Sequence, residues 1–494
     1  MKKVLTFILC ASFSLGINAS DFFVDGTIAA SGDGLTWETA KKTIPEALTL
    51  AKTNTAGTWD NIYVKAGTYN GGATVTTVAL DLTAAACAKI SLFGGFAAAS
   101  AATDITLRDI KLNTTIIDGQ AGATVAKVAQ EVVIDGFTIQ NGKDANYVLN
   151  GNAGGVAISH ASAVVSNCII KNNVRSTGNF QGTAGGVYMK AGTLRDCEVF
   201  GNSSTHANSQ GGGVHITGGT IERCKIYNNT AGATGKTGGV LVAKIITNQT
   251  TYTTLDANIT LANNVIYNNA FQGLKVNLIT GETKTVSLLN NTIVNNANVT
   301  SLDGAGISQL TATNNIFYNN SGDEAFVMQT AYTYNAIQAA SVTGTGNIAL
   351  ASGNQATLFT APTATTGIIA NATSNWLPIA GSGLINVGNN AAANGLVDIA
   401  GNQRIQQTTI DLGAYETSLS TTLTKSTKNN ISKVYAKQGV VVIENASAYE
   451  IYTMDGRLQK SGKLENNFVP MAKGIYLVKA LVGTSSEFTK VIVK

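Results

Sequence analysis

The sequence predicts an all-β protein in which a solenoid of short stacked strands is followed by a small β-sandwich. Charged residues make up only 13% of the 494 residues, and glycine (52) far outnumbers proline (4), a composition typical of strands joined by tight turns. A strand-like unit recurs through the middle of the chain, with copies 24 to 40 residues apart. The last part alternates apolar and polar residues between turn signals, which predicts the sandwich.

Each copy of the repeat pairs a glycine–apolar segment with a second segment of the form x-[Cys/Asn]-x-apolar-x-[Asn/Gly]-Asn. The second segments begin at Asn167, Asp196, Arg223, Asn263, Asn290 and Asn314. A period in the twenties without helical spacing indicates coils of parallel strands stacked ~4.8 Å apart, because one coil cannot bury its apolar face alone.

The last position of each second segment is asparagine. These residues are Asn173, Asn202, Asn229, Asn269, Asn296 and Asn320. An asparagine amide both donates and accepts hydrogen bonds, and asparagine tolerates left-handed turns. We therefore predict an asparagine ladder at a corner of the solenoid, each amide bonding to the one on the next coil.

Three cysteines share one register on consecutive coils, Cys168, Cys197 and Cys224. They indicate either a buried thiol stack or a zinc or disulfide site. In-register parallel neighbours present parallel Cβ vectors, which suit a disulfide poorly. The three histidines show no metal-ligand spacing, so no metal site is predicted.

These repeats resemble the right-handed parallel β-helix of the pectin-lyase-like superfamily, and particularly its polymorphic-membrane-protein-like secreted branch. The segment from Phe22 to Tyr69 resembles that family's first strand, capping helix and first coil. The motif from Asp398 to Glu416 resembles the closing motif of choice-of-anchor Q domains, which precede cell-surface anchors. The resemblance implies a single-stranded right-handed solenoid over residues 20–416. It is specific for the fold and does not fix the chemistry.

The N-terminus has the pattern of a secretory signal peptide over residues 1–19, with two lysines before an apolar run. The cut is predicted between Ala19 and Ser20. No later stretch reaches the ~18 apolar residues of a membrane helix, so no transmembrane segment is predicted. From Lys425 onward there are 11 basic and 5 acidic residues, whereas the solenoid carries a net −4, so nucleic-acid binding is not expected.

A Ser/Thr-rich linker over 417–430 precedes the predicted sandwich at 431–494. The sandwich resembles the C-terminal sorting domain of the type IX secretion system through Gly456, Arg457, Gly474 and Lys494. That resemblance implies the type IX machinery as a partner and a final location outside a Gram-negative cell, secreted or on its outer surface. The alternative is a permanent adhesive β-domain.

Catalytic groups are sparse. A polysaccharide lyase of this fold would need a calcium-binding carboxylate cluster and an Arg or Lys base. Asp104, Arg108, Asp109 and Lys111 form the one dense charged cluster near the early coils, for which a solvated loop is the alternative. A hydrolase of the polygalacturonase type would need paired aspartates, and no Asp-Asp pair occurs in the solenoid.

Four aromatic residues share one outward-facing register, Phe200, Tyr227, Tyr267 and Tyr318. If these side chains are exposed, they would bind sugar rings. The alternative is that they stack along the sheet surface or lie under a loop. The sequence thus favours a secreted, surface-attached, non-catalytic adhesin or glycan-binding protein without a cofactor, its ligand a polysaccharide or a host surface. The alternative is a calcium-dependent polysaccharide lyase or a glycoside hydrolase acting on an acidic polysaccharide.

Overall fold

The computed structural model describes most of the chain from Ser20 onward. The described residues are 20–52, 58–70, 78–97, 103–106, 108–144, 152–176, 183–205, 211–232, 236–245, 251–370, 373–395, 397–418, 433–437, 439–453, 457–464, 467–482 and 485–493. The chain divides into two compact units, Met1–Leu419 and Ser420–Lys494. The predicted signal peptide, with its cut after Ala19, and most of the linker lie outside the described residues, as do Gly456 and Lys494. Across the described residues, no helix is long and apolar enough to cross a membrane.

The first unit is a right-handed parallel β-helix, which confirms the predicted fold class. Among the described residues, three long parallel sheets run along it, and the coils between Leu80 and Tyr318 contribute strands to the first, the second and then the third sheet. The first sheet contains Leu80–Leu82, Ala126–Val128, Val156–Ile158, Val187–Met189, Val214–Ile216, Thr237–Val242, Gln272–Asn277 and Ser301–Asp303. The second sheet contains Asp21–Val24, Asp60–Lys65, Ile90–Phe96, Val132–Asp135, Val164–Ser166, Thr193–Arg195, Gly219–Glu222, Ile259–Ala262, Val286–Leu289, Leu310–Thr313 and Tyr332–Thr333. The third sheet contains Gly67–Asn70, Thr115–Asp118, Phe137–Gln140, Ile169–Lys171, Glu198–Phe200, Lys225–Tyr227, Val265–Tyr267, Thr292–Val294, Ile316–Tyr318, Ala336–Gln338 and Ile348–Leu350.

Short helices, 3-10 turns and strand pairs lie outside the three long sheets. The helices are Ile44–Ala51 and Gln355–Leu358, with 3-10 turns at Ala85–Cys87, Ile307–Gln309 and Asn390–Ala392. A small three-stranded parallel sheet contains Lys143–Asp144, Val174–Arg175 and Ser203–Ser204, and a two-stranded parallel sheet contains Asn152–Ala153 and Thr183–Ala184. Two antiparallel pairs are also present. They join Lys244–Ile245 with Tyr252–Thr253, and Phe359–Ala361 with Asn375–Pro378. The first helix closes the N-terminal end of the core, and Thr43 and Glu46 form a reciprocal capping box at its start.

The asparagine ladder stands just after the third sheet, in the interior. Asn202 Oδ1 accepts from both the backbone nitrogen and Nδ2 of Asn173, at 3.0 Å each, and the same pair of bonds repeats from coil to coil as far as Asn320. Each interior amide is thereby satisfied, which a buried polar group requires. The left-handed turn conformation falls on the residue before each ladder asparagine, such as Asn172 (φ 55°) or Gly201 (φ 64°).

The cysteine register continues as a second ladder between the second and third sheets. The described cysteines are free and buried. Cys197 Sγ accepts from the Cys168 backbone nitrogen at 3.4 Å, and Cys224 N donates to Asn264 Oδ1 at 2.9 Å. From Asn264 onward the column consists of asparagines. Burial and the neighbouring thiols raise the pKa of Cys197, so this thiol is a neutral part of the core.

The second unit is built from antiparallel strands in two sheets. One contains Lys433–Lys437, Val440–Glu444 and Phe468–Pro470, and the other, in spatial order, Leu458–Lys463, Ala448–Thr453, Gly474–Val482 and Ser485–Val493. Alternate residues of these strands form its core, including Val441, Ile451, Val478 and Val491. Arg457 is exposed at the start of the outermost strand, and Gly474 begins the strand that carries Tyr476.

Candidate functional site

The charged cluster near the early coils is occupied by structural bonds. The Arg108 guanidinium pairs with the Asp135 carboxylate, and its Nη1 donates to the carbonyl oxygens of Gly94 (2.9 Å) and Asp135 (3.2 Å). Asp104 accepts from the backbone nitrogen (2.8 Å) and the hydroxyl (2.6 Å) of Thr106, and these bonds lower the pKa of Asp104. Arg108 therefore fastens this loop to the solenoid.

Asp109 also closes a turn, because it accepts from the backbone nitrogens of Lys111 (3.0 Å) and Leu112 (2.9 Å). Lys111 differs from the other three charged residues, since it lines a shallow cleft of about 90 Å³ together with Asp196 and Glu198. The cluster predicted as a catalytic candidate thus contributes one side chain to a cleft, and the rest of it supports the loop.

The carboxylates of this cleft have partners of their own. Arg223 grips Asp196 with two bonds, 2.7 Å from Nε and 2.9 Å from Nη2, across neighbouring coils. Glu198 accepts from the Tyr227 hydroxyl at 3.1 Å and lies 3.9 Å from Lys225 Nζ. Within the described ranges, no group of three or more His, Cys, Asp or Glu side chains is placed to hold a metal ion.

The aromatic column lies on the outer face of the third sheet. The ring centroids of Phe200 and Tyr227 are 4.9 Å apart, and Tyr227 and Tyr267 repeat that spacing. Tyr267 and Tyr318, however, are only 6% and 0% exposed. Of the alternatives that the sequence leaves open, cover by a loop holds for these two rings, because the return segment, the described residues of 351–416, lies over this part of the sheet.

An apolar cluster joins the return segment to the sheet. It contains Val265, Tyr267, Val294, Ile316, Tyr318 and Ala336 from the sheet, and Leu358, Phe359, Trp376, Leu384, Leu412 and Ala414 from the return segment. Trp376 is fully buried, with its ring centroid 5.9 Å from Tyr267 and 5.3 Å from Phe359. Burial raises the pKa of Tyr267 to about 12. Two rings of the column therefore act as core.

The left-handed asparagines beside the ladder hold one edge of the return segment. Asn228 pairs with the backbone of Ile369: its Nδ2 donates to the carbonyl oxygen at 2.8 Å and its Oδ1 accepts from the nitrogen at 3.1 Å. Asn268 Nδ2 donates to the Gly367 carbonyl at 2.7 Å, and Asn295 binds an earlier part of the segment. The asparagines that adopt the left-handed turn conformation therefore also bind the return segment.

A second asparagine row holds the opposite edge. Asn263 and Asn290 donate to the backbone carbonyls of Asn394 (2.9 Å) and Ala392 (3.2 Å), and Asn314 makes an equivalent bond. These three also have positive φ. The return segment is thus bound along both borders of the third sheet.

The cover ends where both asparagine rows are interrupted. In the coil that carries Phe200, the first row has Gly201 in place of asparagine, and the second row has Asp196 followed on the next coil by Arg223. Glycine has no side chain with which to hold a backbone, and Asp196 and Arg223 bind each other. Phe200 is consequently the first ring of the column beyond the cover.

A groove lies beside this open part of the sheet. Its volume is about 290 Å³, and it is lined by Gln120, Ala121, Asn141, Gly142, Lys143, Asn172 and Val174. Asn172 directly follows Lys171, which pairs in register with Phe200. The Tyr227 ring covers one face of Phe200, and the other face points toward the Lys171 coil. The structure therefore brings one partly exposed aromatic ring, two lysines and three amide side chains to one border.

The sequence predicts the aromatic register and leaves a covering loop open as an alternative, but it identifies neither the segment that covers the rings nor the groove. The signal that could have found the cover is the first asparagine of each Asn-Asn pair, which recurs at residues 172, 228, 268, 295 and 319 and is replaced by Gly201 in the coil where the cover ends. A scan against protein-family models and a search of the curated proteins find no match to this chain.

Proposed function

We propose that this protein is a secreted, cell-surface-attached and non-catalytic glycan-binding protein of the adhesin type. Its signal-like N-terminus and its second unit, which resembles a type IX sorting domain, support export and attachment. Its repeats resemble the pectin-lyase-like, polymorphic-membrane-protein-like β-helices and its closing motif that of choice-of-anchor Q domains. In this proposal the solenoid is a stiff support that presents a binding surface away from the cell.

The observation that carries the proposal is the partly exposed Phe200 ring, on the coil next to the amide-lined groove. A pyranose ring offers one face of C–H groups, which packs on an aromatic ring, and a rim of hydroxyls that need donors and acceptors. Asn141, Asn172 and Gln120 supply both kinds of group, and Lys143 adds a cation. A concave, partly apolar site with a few convergent polar groups is the usual form of a small-ligand site.

The test is binding of the full chain to a panel of neutral and acidic polysaccharides, with and without calcium. Phe200→Leu keeps apolar bulk but removes the flat ring, and we expect it to weaken binding about tenfold, a loss of about 1.4 kcal/mol. Phe468→Leu is the matched control, because Phe468 is an exposed phenylalanine of the second unit, 57% exposed. Equal binding by the two variants, or no binding to any glycan, would contradict the proposal.

The enzyme alternative is tested on the same panel by looking for unsaturated products or new reducing ends. Lys111→Ala is the informative variant, because Lys111 lines the cleft with Asp196 and Glu198. Arg108→Ala would be uninformative: removing this nearly buried partner of Asp135 is expected to destabilise the loop itself. Turnover that disappears in Lys111→Ala would replace the binding proposal with an enzymatic one.

A further inference from the structure

The outer face of the four-stranded sheet in the second unit carries an unusual set of side chains. Along the strand Gly474–Val482, Tyr476, Val478 and Ala480 point into the core, so Ile475 and Leu477 point outward. Apolar residues therefore occupy both sides of this strand at its start. A strand with one face in water would ordinarily alternate apolar with polar residues.

These outward residues form one patch at an end of the sheet. Ile475 lies directly opposite Ile492, and Tyr452 lies opposite both Leu458 and Leu477. Leu458, Ile475 and Ile492 are 54%, 45% and 54% exposed. Large apolar side chains that are exposed together, rather than singly, mark an interaction surface.

The patch is basic as well as apolar. Lys490 is exposed and lies opposite Leu477 in the same row, and Arg457 immediately precedes Leu458. The nearby Glu450 carboxylate is neutralised by Lys479 at 2.8 Å. Residues 431–494 contain nine Lys or Arg and five Asp or Glu, a net charge of +4.

We infer that this face docks onto an anionic lipid surface. Isoleucine and leucine side chains would enter the boundary between headgroups and acyl chains, while the lysine and arginine stems keep their charges at the phosphates. Lysine is depleted in protein–protein interfaces, where tryptophan, tyrosine and arginine in pockets dominate, so the mixture of Ile, Leu and Lys on a sheet face favours lipid over a protein partner.

The experiment is co-sedimentation of the full chain with vesicles of phosphatidylcholine alone or mixed with phosphatidylglycerol. We expect binding to the anionic vesicles, weaker at high salt and at least about tenfold weaker in Ile475→Ser/Ile492→Ser. Lys490→Gln should weaken it about fivefold. Phe468→Ser, which removes an equally exposed apolar residue from the other sheet, should leave it unchanged.

Unchanged circular dichroism and thermal midpoints would show that the serine variants fold, and Lys490→Gln tests the same face without removing apolar bulk. Three outcomes would overturn the inference: no binding to anionic vesicles, equal binding to neutral ones, or an equal loss in Phe468→Ser. Capture of a purified protein partner that fails with Ile475→Ser/Ile492→Ser, without vesicle binding, would assign the face to that partner instead.

Discussion

Among the described residues, the return segment covers the outer face of the third sheet in its later coils and leaves its earlier coils uncovered, although the strands pair in register through both halves. In the covered half, Tyr267 and Tyr318 are core residues beneath the return segment. In the open half, Lys171 and Phe200 continue the same column without that cover. The coil geometry is therefore not what separates the uncovered part of the column from the buried part.

The difference lies in two turn positions per coil. The ladder asparagines face inward and build both halves alike. The residues before them face outward in a left-handed conformation, which asparagine, glycine and, at about 1–2 kcal/mol, other residues adopt. In the later coils these residues are asparagines that bind the returning backbone, as Asn228 and Asn268 do. Gly201, Asp196 and Arg223 interrupt the two rows where the cover ends, and Asn172 lies on the coil before this break.

The largest expected effect comes from removing the centre of the cover. Trp376→Ala should lower the free energy of unfolding by about 3–5 kcal/mol, because it leaves a large cavity against Tyr267 and Phe359. Denaturant unfolding of the full chain, followed by hydrogen exchange at the third sheet, would measure it. We expect faster exchange in the covered coils and unchanged exchange around Phe200.

Trp376→Phe is the control for this change. The indole nitrogen of Trp376 has no hydrogen-bond partner in the described chain, so phenylalanine loses only ring volume. We expect a cost of about 1 kcal/mol. If Trp376→Ala lowered the free energy of unfolding no more than Trp376→Phe does, the return segment would be weakly packed on the sheet and not part of the core.

The second effect is a pH dependence confined to the covered half. Burial raises the pKa of Glu324 to about 7, despite hydrogen bonds from Asn320 and Thr300 that act to lower it. Burial raises the pKa of Glu416 to about 7, and the negative charge of Asp411 acts in the same direction. Between the unfolded pKa of 4.5 and the folded pKa of about 7, the folded state thus binds more protons than the unfolded chain. The stabilisation that these two protonated carboxyls contribute is therefore fully present below about pH 4.5 and is lost as the pH rises through 7.

For Glu324 the loss of folding free energy across this pH range is on the order of 3 kcal/mol. Glu324→Gln cannot ionise, so the thermal midpoint of this variant should change less between pH 5 and pH 8 than that of the parent. Glu38→Gln, at an exposed carboxylate, should leave the pH dependence as it was. A stability that rises from pH 5 to pH 8 would have the opposite sign and would contradict the assignment.

The sequence supports the repeat, the register and the inward asparagines, because each is a local pattern repeated many times. It does not reveal the cover, since the contact of Asn228 with Ile369 joins residues 141 positions apart and follows no period. The same limit applies to Arg108, whose charge indicated chemistry while its partner, Asp135, lies on a later coil. Single long-range contacts determine which of the predicted site residues are buried or engaged in structural bonds.

The smallest expected effect concerns two asparagines at equivalent turn positions, one in the covered half of the third sheet and one in the open half. Asn268→Gly and Asn172→Gly make the same change at equivalent left-handed positions, where glycine is equally at ease. Asn268→Gly removes the bonds to Gly367 and its neighbours and should cost about 1–2 kcal/mol, whereas Asn172→Gly, in the open half, should cost a few tenths. Asn172→Gly should instead weaken glycan binding, since it deletes one amide of the groove. Equal stability losses would mean that the asparagines serve the turns alone and that apolar packing sets the border of the cover.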